Sequence, residues 1–247
     1  MKIFGLIGYP LTHSFSKKYF NNQFEREGTA DCKYELFPLS NINEFSALLK
    51  ANPMLKGLNV TIPHKISVLP FLNEIDVAAA AIGAVNCIAF EFRNQQQWLK
   101  GYNTDAFGFS ESLKPFLKAG HQRALILGDG GAAKAVKYVL NQLGITFQTV
   151  VRTAAEGAIT YNKLTADIML NHEIIINTTP LGTYPDISSA PAIPYELLTK
   201  EHLVYDLVYN PEETSFLQKA KLRGAVVKNG LEMLHLQADK AWAIWNS

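Results

Sequence analysis

Four short polar clusters hold most of the residues in this chain whose types and spacing could do chemistry. "HSFSKK" contributes Ser14 and Ser16, one residue apart; "NVTIPHK" contributes Asn59, Thr61 and Lys65; "GAVNC" contributes Asn86; and "GYNTDAFGF" contributes Asn103, Thr104 and Asp105. Hydroxyls, amides and an amine brought to one cleft would suit a small polyhydroxylated acid, which needs several directed hydrogen bonds and a charge. Each cluster also has a plainer use. Ser14 or Ser16 could cap a helix beginning near Phe15, Asp105 could cap one starting at Ala106, and Lys65 could lie on the surface.

A fifth feature is the stretch "LILGDGGAAKAVKYVL", which passes from an apolar run through three glycines into an amphipathic helix. Gly128, Gly130 and Ala133 fit the G-x-G-x-x-G/A spacing, in which small residues permit a tight turn, close approach of a pyrophosphate and helix–strand packing. Gly131 and Ala132 complete the turn, and the first N–H groups of a helix suit an anion. A turn that serves packing alone has the same composition. The next strand, "TFQTVVRT", ends in Arg152 and Thr153; an arginine there suits the 2'-phosphate of NADP, whereas NAD calls for an acid.

The elements that would position these residues follow from the apolar runs. "IFGLIG", "YELFPL" and "KGLNVTI", then "ALILG", "FQTVVR", "EIIINTT", "LVYDLVY" and "AVVKNG", alternate with helical patterns, which predicts parallel sheets with crossover helices. Between the two series, "AVNCIAFEFRNQQQWLKGYN" reads as a hairpin-like excursion and marks a domain boundary. "TDAFGFSESLKPFLKAG" then has Phe107, Leu113 and Phe116 at helical spacing, and "GLEMLHLQADKAWAIWN" reads as an amphipathic end helix. The expected class is α/β with two domains: residues 1–104 as an α/β substrate domain, with 238–247 packing back on it, and 105–237 as a Rossmann-type dinucleotide-binding domain.

The composition agrees. The chain has 247 residues, 48% of them hydrophobic, and a formal net charge of +1, enough for one large or two modest domains and without the basic excess of a nucleic-acid or membrane surface. Cys32 and Cys87 show neither disulfide nor zinc spacing, so no metal is expected. The opening apolar run is too short for a secretory leader, and no window approaches a membrane span. A cytoplasmic protein with a small-molecule partner is the expectation, as a monomer or a homodimer.

Read in order, "GYPLTHSFS", "GLNVTIPHK", "GAVNC", "GYNTDAFGF", "LGDGGAAKAV", "NTTPLG", "YDLVYNPEETSFLQKA" and "NGLEMLHLQA" resemble the shikimate dehydrogenase family over nearly the whole chain. The resemblance implies reversible NADPH-dependent reduction of 3-dehydroshikimate to shikimate, a step towards chorismate and the aromatic amino acids. It implies Lys65 and Asp105 as the catalytic pair, with the carboxylate holding the lysine cationic and oriented. Substrate contacts fall on Ser14, Ser16, Asn59, Thr61, Lys65, Asn86, Asp105, Tyr209 and Gln237. Cofactor contacts fall on Gly128, Gly130, Gly131, Ala132, Arg152, Thr153, Asn177, Thr178, Gly230 and Met233, with Gly230 beside the nicotinamide.

The departures concern the cofactor. Where the family reads Asn-Arg-Thr with a second basic residue two positions on, this chain reads Val151, Arg152, Thr153, Ala154, Ala155, Glu156, so one cation is missing and an anion stands nearby. Asp129 occupies a position in the glycine turn that is usually small and uncharged. These differences keep open an NAD-preferring quinate/shikimate dehydrogenase, and more distantly a non-enzymatic dinucleotide-binding sensor; the sensor predicts loss of the Lys/Asp pair, which is intact here.

Overall fold

A computed structural model describes residues 1–11, 14–93 and 96–247. It divides into two compact units, one formed by Met1–Phe107 with Gln237–Ser247 and the other by Gly108–Leu236.

The first unit runs β1 (Lys2–Gly8), α1 (Phe15–Arg26), β2 (Cys32–Pro38), α2 (Phe45–Ala51), β3 (Leu55–Val60), α3 (His64–Ser67), β4 (Glu74–Ile75), α4 (Val77–Ile82), β5 (Cys87–Arg93), β6 (Gln96–Tyr102) and the start of α5 (Thr104–Leu113). Its sheet has the order β2-β1-β3-β5-β6-β4. β1 lies parallel to β2 and β3, but β5 is antiparallel to both β3 and β6. The hairpin expected as an excursion is therefore built into this sheet, which is mixed rather than parallel. Its inner strand supplies the reason: Cys87, Ile88, Ala89 and Phe90 are all buried, so they need a covered face and not a free edge. The tip at residues 94–95 lies outside the described residues.

α5 stops at Leu113, earlier than its apolar spacing suggests, because Pro115 cannot donate to the helix ladder and the chain tightens into a 3₁₀ turn over Lys114–Phe116. Phe107 is exposed, and Phe109 and Leu113 take the buried face instead.

The second unit continues with β7 (Arg123–Leu127), α6 (Gly131–Gln142), β8 (Thr146–Val151), β9 (Ala158–Thr160), α7 (Ala166–Leu170), β10 (Ile174–Asn177), β11 (Leu203–Asp206), α8 (Ser215–Lys221), β12 (Val226–Lys228) and the start of α9 (Leu231–Trp245). Its sheet, β12-β11-β10-β7-β8-β9, is parallel throughout. Chain order runs outward in both directions from the β7/β10 neighbours. Such a reversal opens a crevice at the carboxyl ends of the two strands, which is where a doubly wound sheet takes its ligand. No helix among the described residues is long and apolar enough to cross a membrane.

The C-terminal part of α9 belongs to the first unit, where Trp242 and Trp245 join Phe4, Phe20, Phe24 and Tyr34 in one cluster. Trp242 Nε1 donates to Glu27 at 3.0 Å and Trp245 Nε1 to the Ile88 carbonyl at 3.0 Å, so both indoles are anchored by their polar edge as well as packed. Gly57 of β3 lies directly beneath the Trp245 ring, where a Cβ would overlap the indole. Gly57→Ala should therefore destabilise the chain by about 1–3 kcal/mol through overpacking, because the ring cannot retreat without breaking its bond to Ile88. Urea unfolding followed by tryptophan fluorescence would show this as a lowered midpoint; an unchanged midpoint would mean the helix end is loosely held.

Candidate active site

Lys65 stands on α3, a single turn too short to hold itself, and its neighbours supply what the turn lacks. His64 is buried and its Nε2 contacts the Leu39 carbonyl at 2.5 Å. A carbonyl only accepts, so this nitrogen carries the proton and Nδ1 is left to accept from Ser67 Oγ at 3.4 Å. Val85 N donates to the Lys65 carbonyl at 2.8 Å, tying the turn to the segment that leads into Asn86. Lys65 Nζ then lies 2.6 Å from Asp105 Oδ2, with both side chains largely withdrawn from solvent, at 17% and 11% exposure. A pair this enclosed is screened much less than a surface one.

Asp105 is free for that contact because other groups serve the start of α5. Asn103 Oδ1 accepts from Ala106 N at 3.1 Å, and Asn86 Oδ1 accepts from Thr104 N at 2.6 Å. The capping use of Asp105 is thus taken by Asn103. Asn86 Nδ2 donates to Thr104 Oγ1 and to Asp105 Oδ1, both at 2.9 Å. Both amide hydrogens are engaged within the protein, so a substrate would have to share this group.

The remaining polar residues of the first unit extend from the same centre. Asn59 is buried, with Nδ2 3.3 Å from the Asn86 carbonyl and Oδ1 receiving the Tyr34 hydroxyl at 2.7 Å. Gln237 Oε1 is 3.4 Å from Thr104 Oγ1. Ser14 occupies the N-cap position of α1 but makes no capping bond, and among the described residues its buried Oγ has no partner. A buried hydroxyl left unmade costs free energy that a ligand's acceptor would recover. Ser16 lies half-buried in the first turn of α1 beside the Tyr34 phenol. Thr61 is half-buried just past the end of β3, its backbone bound to Ile7 and His64.

In the second unit the glycine turn follows β7 at the strand reversal. Gly128 has φ +102°, a region closed to most side chains, and a Cβ there would come within 2.9 Å of Thr178 Oγ1 and Thr179 Cγ2. Gly130 is the N-cap of α6 with extended backbone, and no atom lies where its side chain would be. Gly131 and Ala132 form the first turn, while Ala133 is buried against the sheet. This is open backbone at a helix N-terminus, which fits a pyrophosphate. The Asp129 carboxylate is held by Lys137 at 2.6 Å, two turns along α6.

Arg152, Thr153 and Glu156 lie exposed between β8 and β9. Among the described residues Arg152 makes no ion pair, and its charge offsets part of the upward push that burial gives Tyr161. Thr178 packs on the turn through its hydroxyl, which donates to the Leu127 carbonyl at 2.8 Å. Asn177 is fully buried; it donates to Asp206 at 2.9 Å and accepts from Thr179 N and Oγ1 at 3.0 and 2.6 Å. That gives Asn177 the task of shaping the loop. Tyr209 is half-buried on the segment after β11, Met233 is buried in α9, and Gly230 lies against the Leu207 backbone with no room for a side chain.

Residues 6–88 match the family model described as the shikimate dehydrogenase substrate binding domain. The chain is 35% identical over 270 aligned residues to the shikimate dehydrogenase (NADP(+)) of Desulforamulus reducens, covering 99% of this chain and 89% of the relative. The crystal structure of shikimate dehydrogenase from Aquifex aeolicus superposes with a TM-score of 0.86 at 32% identity, covering 100% of this chain and 92% of the other. That of shikimate 5-dehydrogenase from Thermus thermophilus, in complex with NADP(H) and shikimate, gives 0.85 at 31% identity, covering 99% and 93%.

Sequence spacing did not point to Asp206, which is fully buried where β11 ends. Its carboxylate accepts from Asn177 Nδ2 at 2.9 Å, Val208 N at 3.0 Å and Thr214 Oγ1 at 2.6 Å, joining the ends of β10 and β11 to the start of α8. Burial pushes this carboxyl up from 3.8 to about 6, against the opposing pull of those donors. The folded chain therefore binds the proton more tightly than the unfolded one. The resulting stabilisation is complete below the ordinary carboxyl value and is lost as pH rises through about 6. Asp206→Asn should remove that loss, so the stability of the variant relative to the parent should improve by on the order of 3 kcal/mol from acid to neutral pH. Urea unfolding at a series of pH values measures it; a pH-independent difference would mean Asp206 does not titrate in this range.

Proposed function

The chain belongs to the shikimate dehydrogenase family, and we infer that it is an NADP-dependent oxidoreductase interconverting shikimate and 3-dehydroshikimate. Its reaction is a step towards chorismate and the aromatic amino acids, carried out in the cytoplasm. The observation that carries the reading is the enclosed Lys65–Asp105 pair, held at 2.6 Å and relieved of any capping duty. Reducing a ketone builds negative charge on its oxygen, and a donor must stand within hydrogen-bond reach of it. Lys65 Nζ gives its proton to that oxygen in reduction and a hydroxyl returns it in oxidation. Asp105 directs the ammonium through Oδ2, while Asn86 fixes its other oxygen.

Ser14 and Ser16 donate to the substrate carboxylate; the unpartnered Ser14 hydroxyl supports this assignment. Asn59, Thr61, Asn86 and Gln237 address the ring hydroxyls. When bound, the dinucleotide supplies the hydride donor for reduction and the acceptor for oxidation. Gly128, Gly130, Gly131 and Ala132 would hold its pyrophosphate, Gly230 would lie beside the nicotinamide with Met233 as a further cofactor contact, and Arg152 and Thr153 would read the 2'-phosphate. The pairing of Asp129 with Lys137 supports that assignment of the turn, because it turns an anion aside from the pyrophosphate position.

Oxidation of shikimate with NADP and with NAD in turn tests the function. Lys65→Ala should lower kcat by roughly two to four powers of ten with shikimate binding comparatively intact, and a variant of near-normal turnover would remove Lys65 from the chemistry. Adding Asp105→Asn should cost much less than its effect alone, since the two act as a unit; fully additive losses in the double variant would contradict this. Arg152→Ala should weaken NADP binding about ten- to a hundredfold while sparing NAD, read by titrating each cofactor. Equal losses for both would mean that Arg152 does not read the phosphate.

A further inference from the structure

Tyr34, in the middle of β2, is fully buried, yet its hydroxyl lies among the polar residues of the candidate site. The ring is stacked on Phe20, with centroids 4.6 Å apart and planes 10° from parallel, and Trp245 closes it in from a centroid distance of 6.4 Å. Its backbone is also fixed. β2 is an edge strand, and the amide side chain of Asn21 takes the place of a neighbouring strand: Tyr34 N donates to Asn21 Oδ1 at 3.0 Å and Asn21 Nδ2 donates to the Tyr34 carbonyl at 3.2 Å. Asn21 belongs to α1, the helix that carries Ser16. Ring and backbone together aim the hydroxyl at one place.

Two site residues meet it there. The phenol donates to Asn59 Oδ1 at 2.7 Å, and Ser16 lies beside it. A neutral phenol has one proton. An amide oxygen can only accept, so that proton goes to Asn59. The other end of the amide agrees, because Nδ2 faces the Asn86 carbonyl and a flipped amide would set two acceptors together. Asn59 therefore keeps its second N–H for a ligand.

We propose that Tyr34 is a positioning residue for substrate binding: by holding the Asn59 oxygen it presents the amide N–H as a donor. The substrate group that meets this N–H must then be an oxygen able to accept. This inference rests on the assignment of Ser16 and Asn59 to the substrate.

Steady-state kinetics of Tyr34→Phe, Ser16→Ala, Asn59→Ala and the double variant Tyr34→Phe/Asn59→Ala test it. Tyr34→Phe keeps the stacked ring, and we expect it to raise the KM for shikimate about tenfold, to change kcat by less than about threefold, and to leave the KM for NADP alone. The double variant should show much less than the product of the single effects. If Ser16→Ala and Asn59→Ala leave the KM for shikimate unchanged, the substrate assignment itself fails, and the inference with it. If those two raise it while Tyr34→Phe does not, or if Tyr34→Phe raises both KM values alike, or if the double variant multiplies the single effects, Tyr34 is overturned as a positioning residue and the assignment stands. Should loss of the hydroxyl unfold the chain, 3-fluorotyrosine installed at this one position replaces it. Its more acidic hydroxyl should shift the KM for shikimate and not that for NADP, and no shift overturns the proposal.

Discussion

A buried amide loses free energy for each donor or acceptor left without a partner, and Asn86 engages its own with the residues that matter to the site. Its oxygen accepts the first N–H of α5, and its nitrogen donates to Thr104 Oγ1 and Asp105 Oδ1. Its backbone carbonyl accepts from Val60 N as well as from Asn59, and its backbone N–H goes to Tyr102. The ends of β3 and β6, the start of β5 and the start of α5 are thereby referred to one residue. Lys65 is reached from the same point by two routes, through Asp105 and through the Val85 N–H. None of these groups can move far without leaving another unsatisfied.

The two units place polar groups at the ends of their sheets by different means. In the first, polar side chains gather at strand ends and bond one another. In the second, backbone is exposed at a helix start, and side chains such as Asn177 and Asp206 are buried beneath the loops to hold them. A side-chain network suits a small ligand with many distinct groups, whereas backbone N–H groups suit the repeated oxygens of a phosphate.

The strands that carry both sites were legible in the sequence, because runs such as "ALIL" and "IIIN" are buried on both faces and show it in every residue. β4 and β9 were not, being two and three residues long with partly exposed side chains. Ser14, Asn59, Lys65, Asn86 and Asp105 were legible as types at strand ends, but their mutual bonds were not. His64, Tyr34 and Asp206 escaped for one physical reason: each acts through partners 25 to 29 positions away, and local spacing carries no trace of that. The capping question at Asp105 was open for another cause, since Asn103, two residues before it, is an equally good capping type and takes the role.

Arg152, Thr153 and Glu156 are exposed, on a loop that bears no part of either core. Substitutions at such positions rarely disturb stability by more than a few tenths of a kcal/mol. On the proposed reading, a lineage could exchange one electron carrier for another by neutral drift along this loop, following whichever nucleotide pool its metabolism keeps reduced. The bonded polar network of the first unit has no such latitude, because each change there would first have to survive as a folding defect.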